Sequence, residues 1–326
     1  ETDMIQLAVV LFAVLFSLAI VGQDVPGGLG EIWRHAAETG RLTLGQASLD
    51  PAKPYTLPWT LLAYGTLALS IAGTNQQAVQ RYMACQDLRS ARRAAFLGGG
   101  IGFVAVGLTL VLGTALHAWS ALTPGGEVLR DTKDQVLPTF VLLRLPAGLA
   151  GLVVAAIFAA SMSSMDSAIH SMSTATIVDF VRRVRKGPTD ASRELRLARG
   201  LTILFGLAAT GLAVLAAESD TPLLRTLFTW LGYFAGPLLG LFVLGVLSRR
   251  ATERGALIGV GLGAGFVLLA VSLSWAKPLG VHPLWFAPAS LLLTVAGGGI
   301  ASLLDPAPSP ERLDGLTWRR GGARPS

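Results

Sequence analysis

Eight stretches of roughly 20 apolar residues follow one another along the chain. Roughly 20 residues of helix cross a hydrocarbon core about 30 Å thick. In lipid each backbone N–H and C=O must be satisfied within the protein, so a chain of this pattern folds as a bundle of helices. The runs fall at about 4–23, 57–80, 94–117, 146–178, 197–217, 222–247, 256–276 and 282–304, here spans A to H. Charged residues make up 14% of the chain, against about 25% in a soluble domain. The expected fold class is all-α, a polytopic membrane protein with about eight transmembrane helices.

The basic excess, a net charge of +6, sits in short connections. Arg81, Arg89, Arg92 and Arg93 lie between B and C; Arg182, Arg183, Arg185, Lys186, Arg193, Arg196 and Arg199 between D and E; Arg249, Arg250 and Arg254 between F and G. Arg312, Arg319, Arg320 and Arg324 lie in the tail. All fall on one side of an eight-span path. This is the positive-inside pattern, so the expected partner is a lipid bilayer and no nucleic acid. The protein is expected to be multi-pass in the cell membrane with both ends of this chain cytoplasmic. A single cysteine, Cys85, excludes an intrachain disulfide and a cysteine metal cluster. Met4–Gln23 has no basic leader or cleavage site before it, so it reads as a span rather than a signal peptide. The start reads as truncated.

The outward connection 24–56 contains an amphipathic stretch, Leu29 to Leu42, suited to the membrane surface. The connection 118–145 has charged Glu127–Asp134 followed by apolar Val136–Leu145. The membrane domain is assigned to 1–304, and 305–326, rich in Pro and Arg, reads as a disordered cytoplasmic tail. Two spans carry helix breakers: Ser70 to Gln76 in B, and Gly232, Gly236 and Pro237 in F. Interrupted helices at membrane depth line cavities and, in transporters, binding sites. A plain proline kink is the alternative for F, and an interfacial position the alternative for B. Gly255-x-x-x-Gly259 and Gly261-x-x-x-Gly265 in G have the spacing of helix packing.

Span D carries the chemistry. Residues three, four and seven apart share a helix face, which groups Ala160, Ser163, Ser164 and Ser167, with Ser171 and Thr174 continuing the stripe. Neutral hydroxyl and carbonyl oxygens suit a weakly held monovalent cation, whereas a divalent ion wants several carboxylates. A carbonyl near Ala160 adds a ligand if the helix loosens there. Asp166 lies beside the stripe, and a carboxylate inside a span marks a functional site. His170, four residues on, is placed to hydrogen-bond it. Small hydroxyl residues also serve close helix packing, which is the bland alternative for the serines alone. Asp3 alone reads as an acidic residue suited to a helix start. No nucleophile–base pair suggests an enzyme.

Several segments together resemble the sodium:solute symporter family, whose core has the LeuT-like inverted-repeat fold. Thr2-Asp3-Met4-Ile5-Gln6 resembles the family's WTDxIQ opening, with Glu1 in place of Trp. Gly73-Thr74-Asn75-Gln76 with Val79-Gln80-Arg81-Tyr82 resembles GTDQ…VQRY, and Asp87 with Ala91-Arg92-Arg93-Ala94 continues it. Ala155–Ser167 resembles the AAIFAAxMSSLDS helix, and Arg249-Arg250 before Gly255-Ala256-Leu257-Ile258-Gly259 resembles KKxxxKGAxIG. The matches keep the family's order and span nearly the whole chain.

The resemblance implies sodium at Ala160, Ser163 and Ser164. It implies a second sodium position, used by some members, at Asp3, Asp166 and Ser167. Solute would lie between the repeats against B and F, where Ser70, Thr74, Gln76, Trp230 and Tyr233 are the candidates. Sugar-transporting members carry Asn, aromatic and Gln side chains where this chain has Ala68, Ser70, Ile71 and Phe228. A sugar is therefore disfavoured against a small carboxylate, sugar acid, amino acid or vitamin. By the same resemblance span A is the last helix of the first repeat, B to F are the whole second repeat, and G and H are extra. The missing N-terminal helices of the same protein become a required partner. The alternatives are a symporter-like sensor domain, or a non-functional remnant of a symporter gene.

Overall fold

The computed structural model describes residues 2–43, 45–50, 53, 56–129, 133–184, 190–217, 223–276, 283–313 and 317, with the backbone alone at 2, 3, 133, 225, 274–276 and 312. Among these every regular element is helical. In chain order they are α1 (Thr2–Asp24), α2 (Gly28–Glu38), α3 (Leu57–Thr74), α4 (Gln76–Met83), α5 (Leu88–Leu122) and α6 (Val136–Arg144). Then come α7 (Ala147–Ala175), α8 (Arg182–Val184), α9 (Ala191–Ala217), α10 (Leu223–Leu247), α11 (Glu253–Ala276), α12 (Phe286–Ser302) and α13 (Pro310–Leu313).

Each expected span is a helix. Among the described residues seven helices are long and apolar enough to cross a membrane, and α3, in span B, is not one of them. Its Pro58, Trp59, Thr60, Tyr64, Gly65 and Thr66 dilute the apolar residues. It also ends at Thr74 rather than near 80, because Asn75 leaves helical geometry at φ −74° and ψ 120°. The Asn75 side chain accepts a 2.9 Å bond from Gln77 N and starts α4, a local alternative to the helical ladder. The break expected in B is therefore present. In F, α10 continues through Pro237 as one helix. The helix of span C is longer than its apolar run: α5 extends over 35 residues, about 52 Å at 1.5 Å per residue.

Two compact units divide the chain: residues 1–43 with 82–223, and 44–81 with 224–326. In the first, α1 packs on α5 and α7, α2 on α1 and α5, and α7 on α9. Val21, Val25, Ile32, Leu112, Leu116, Trp119, Phe140 and Val153 fill its core. The amphipathic α2 turns Ile32 into this core, buries Ala36 as well and leaves Leu29 and Trp33 exposed. Ser173 donates to Ala198 O at 3.2 Å, tying α7 to α9. The outer faces stay apolar, and α9 buries no residue, as expected of helices solvated by lipid.

In the second unit α12 is the centre, with α3, α10 and α11 around it. Small residues allow close approach. A Cβ added at Gly255, Gly259 or Gly263 of α11 would lie 2.0–2.5 Å from α12 atoms, and one at Gly236 of α10 would lie 2.1 Å from Ser290 Oγ. The packing face of α11 is thus Gly255, Gly259 and Gly263. The expected second pair, Gly261 and Gly265, faces open space, because those residues lie round the helix from the contact. The first residues of the tail are held: Asp305 accepts 3.0 Å from Thr252 Oγ1. Residues 314–316 and 318–326, assigned to a disordered tail, lie outside the described residues.

Asp87 caps α5 by accepting a 2.7 Å bond from Ser90 N. Hydrogen bonds from Ser90, through its side chain and then its backbone N–H, hold the Asp87 carboxyl below its ordinary pKa. A depressed folded-state pKa gives stability that is present above the unfolded pKa and lost as pH falls through the folded one. The first turn of α5 should therefore lose amide protection as pH falls below about 4. Asp87→Ala should remove that pH dependence. Hydrogen exchange over 88–93 across pH 3–7 reads both, and identical profiles would contradict the cap.

Candidate functional site

The serine stripe sits on an uninterrupted stretch of α7, in the first unit. With no Gly or Pro between Val153 and Ala175, the helical ladder stays closed across Ala160. The condition for a freed carbonyl there, a loosened helix, is not met at Ala160; the helix widens only later, into a π-turn at Thr176–Val181. The Ala160 carbonyl thus points along the helix axis, leaving the side-chain oxygens as the more adaptable donors. Ala160, Ser163 and Ser167 are half-buried and Ser164 is exposed. Ser167 donates to the Ser163 carbonyl at 3.0 Å, which draws one turn of the stripe together. The donor set is hard oxygen with no net charge, and it fits sodium in kind.

Asp166 lies beside the stripe on the same helix. Its carboxylate lies 3.1 Å from His170 Nε2, and both side chains are mostly exposed, at 72% and 63%. The expected Asp166–His170 contact is therefore present. Asp3 lies on α1, which packs along α7, but its side chain is outside the described residues.

The five solute candidates form two groups, both in the second unit. Ser70 is buried, with its hydroxyl 3.3 Å from that of Thr74, and Thr74 Oγ1 donates to Ser70 O at 2.8 Å. These hydroxyls stand at the end of α3, just before the break, and Gln76 opens α4 half-buried beyond it. Trp230 and Tyr233 of α10 meet edge to face at 5.9 Å, and Tyr233 also stacks on Phe286 at 6.2 Å. Between α3 and α10, Tyr64, which sequence did not single out, meets Phe228 edge to face at 5.3 Å. The aromatic character of Tyr64 on a span that carries breakers was the available signal. The arrangement offers hydroxyls at one place and aromatic faces at another, suited to orienting a small organic molecule without covalent chemistry.

With seven of the described helices long and apolar enough to cross a membrane, the class is that of a multi-pass helical membrane protein. The chain matches the Sodium:solute symporter family over residues 1–263, and it belongs to that family. It is 32% identical over 263 residues to the sodium-dependent multivitamin transporter of Oryctolagus cuniculus, covering 79% of this chain and 41% of that one. It is 28% identical over 264 residues to the sodium/sialic acid symporter NanT of Aliivibrio fischeri, covering 79% and 51%. The chain thus spans about half the length of the curated relatives it matches. Its fold is similar to that of a Na+-coupled sialic acid symporter in a substrate-bound outward-open state, with a TM-score of 0.75 and 22% identity over 94% of this chain and 62% of that one. The proteins named in these matches are transporters and not enzymes.

Proposed function

We propose that the full-length product of this gene is a sodium-coupled secondary transporter that moves a small organic solute by alternating access. The observation that carries this reading is the hydroxyl stripe on α7 in a chain of this family. Ser163 and Ser164, with the Ala160 carbonyl, would hold the coupling sodium. Asp3, Asp166 and Ser167 would serve a second ion. The Asp166 carboxylate, within an apolar span and in contact with His170 at 3.1 Å, remains mostly exposed, and a carboxylate at such a depth marks a functional site. The solute would meet Ser70, Thr74, Gln76, Trp230 and Tyr233, with a carboxylate, sugar acid, amino acid or vitamin favoured over a sugar. The basic loops support a cytoplasmic position for both ends of this chain.

Uptake by proteoliposomes carrying the full-length product tests the reading. A panel of labelled carboxylates, sugar acids, amino acids, vitamins and hexoses is offered with an inward sodium gradient and with choline in its place. At least one non-sugar solute should accumulate with sodium and fall to background without it. Accumulation that is unchanged at zero sodium would remove the coupling.

A further inference from the structure

Asp24, the last residue of α1, joins three elements of the first unit. It accepts Trp119 Nε1–H of α5 at 3.0 Å and Arg144 Nε–H of α6 at 2.8 Å. A second guanidinium nitrogen of Arg144 also donates to its other oxygen. The Asp24 side chain is 16% exposed and that of Arg144 42%. Trp119 is buried and sets its ring edge to face against the buried Phe140 of α6, at 5.4 Å and 85°. A forked guanidinium on a carboxylate fixes direction as well as distance, and the indole N–H has no role but donor. Three donors thus converge on one carboxylate.

The element held in this way is short. α6 has nine residues, too few to be stable as an isolated helix. It leads through only Leu145 and Pro146 into α7, so a displacement of α6 passes directly to the helix that carries the serine stripe.

We infer that Asp24 is a positioning residue of the transport cycle: it locks α6 and the start of α7 to α1 and α5, so that these four helices move as one body. The cyclic role rests on the transport reading above; the lock itself does not. Alternating access moves rigid groups of helices against one another, and a nine-residue helix left loose at the end of one group would lag behind it.

The test has two arms on the full-length protein. In the first, hydrogen exchange over 136–145 is measured in purified protein. Asp24→Ala should raise it about tenfold, the effect of losing charge-assisted bonds worth about 1.4 kcal/mol together. Asp24→Asn, which keeps an acceptor for the indole, should fall between. The reversed pair D24R/R144D should not restore protection, because it sets a guanidinium donor against the Trp119 N–H. In the second arm, turnover per transporter molecule should fall about tenfold in Asp24→Ala, as a motion slowed by about 1.4 kcal/mol would. The sodium and solute concentrations for half-maximal uptake should stay within about twofold. Unchanged exchange in Asp24→Ala, full rescue by the reversed pair, or altered half-maximal concentrations at normal turnover would each overturn the inference. If the unaltered protein shows no sodium-driven uptake, the transport reading fails while the exchange arm still decides the lock.

Discussion

Gly259→Leu should prevent α11 and α12 from packing and leave little folded protein. A Cβ at residue 259 would lie 2.5 Å from Thr294 O, 2.8 Å from Gly298 Cα and 3.0 Å from Gly298 N. All three are backbone atoms of α12, and none can rotate away. The helices must separate, which exposes buried Ser290, Thr294 and Ser302 and gives up the close contacts that drive helix association in lipid. Overpacking that side chains can absorb costs about 1–3 kcal/mol. Here the backbone must move, so about 3 kcal/mol or more is expected, a large share of a total stability of about 5–15 kcal/mol. Gly261→Leu is the control, since its Cβ meets nothing within 4 Å and the side chain would point to lipid. Thermal unfolding and yield of the two variants in detergent decide the matter. Equal behaviour would mean that the α11–α12 contact is not set by Gly259.

The same helix shows where reading the sequence succeeds and where it stops. Span positions were legible because lipid forces each crossing segment to satisfy its own backbone. The glycine spacing announced a packing face, but two spacings on one helix look alike until the partner is placed. Only the fold shows that Gly259 and Gly263 face α12 while Gly261 and Gly265 do not. The break in B was visible because Ser70 to Gln76 put polar residues where a lipid-facing helix should be apolar; that it falls at Asn75 is seen only in the fold. The Asp24 cluster was not, since its partners Trp119 and Arg144 are 95 and 120 residues away. A lone carboxylate closing an apolar run was the available sign. The serine stripe was legible because its spacing lies within one helix. The closed ladder across Ala160 could be read in the same way, since no Gly or Pro lies between Val153 and Ala175.

Ser163→Ala with Ser164→Ala should abolish sodium-driven uptake at ordinary sodium concentrations. Each change removes a hydroxyl from the proposed ligand set and leaves an ion short of oxygen. A lost polar partner at a desolvated site costs about 1–3 kcal/mol, and each 1.4 kcal/mol is about tenfold in affinity. Two such losses should weaken sodium by roughly a hundredfold or more. The fold should survive, because alanine suits a helix interior better than serine. Ser163 is half-buried and Ser164 exposed, so no cavity of consequence opens. Two controls separate ligation from packing. Ser161→Ala removes a hydroxyl that is bonded to Ile157 O at 2.8 Å within its own helix, and it should leave uptake within about twofold of the unaltered protein. Asp166→Asn should spare the first ion while altering the sodium dependence of the rate, since its carboxylate is partnered by His170 at 3.1 Å rather than by the serines. The reading is carried by the sodium concentration for half-maximal uptake, measured with protein amount held equal. If the double variant transports normally at low sodium, the stripe serves only packing, and the cation must be held by other residues of the protein.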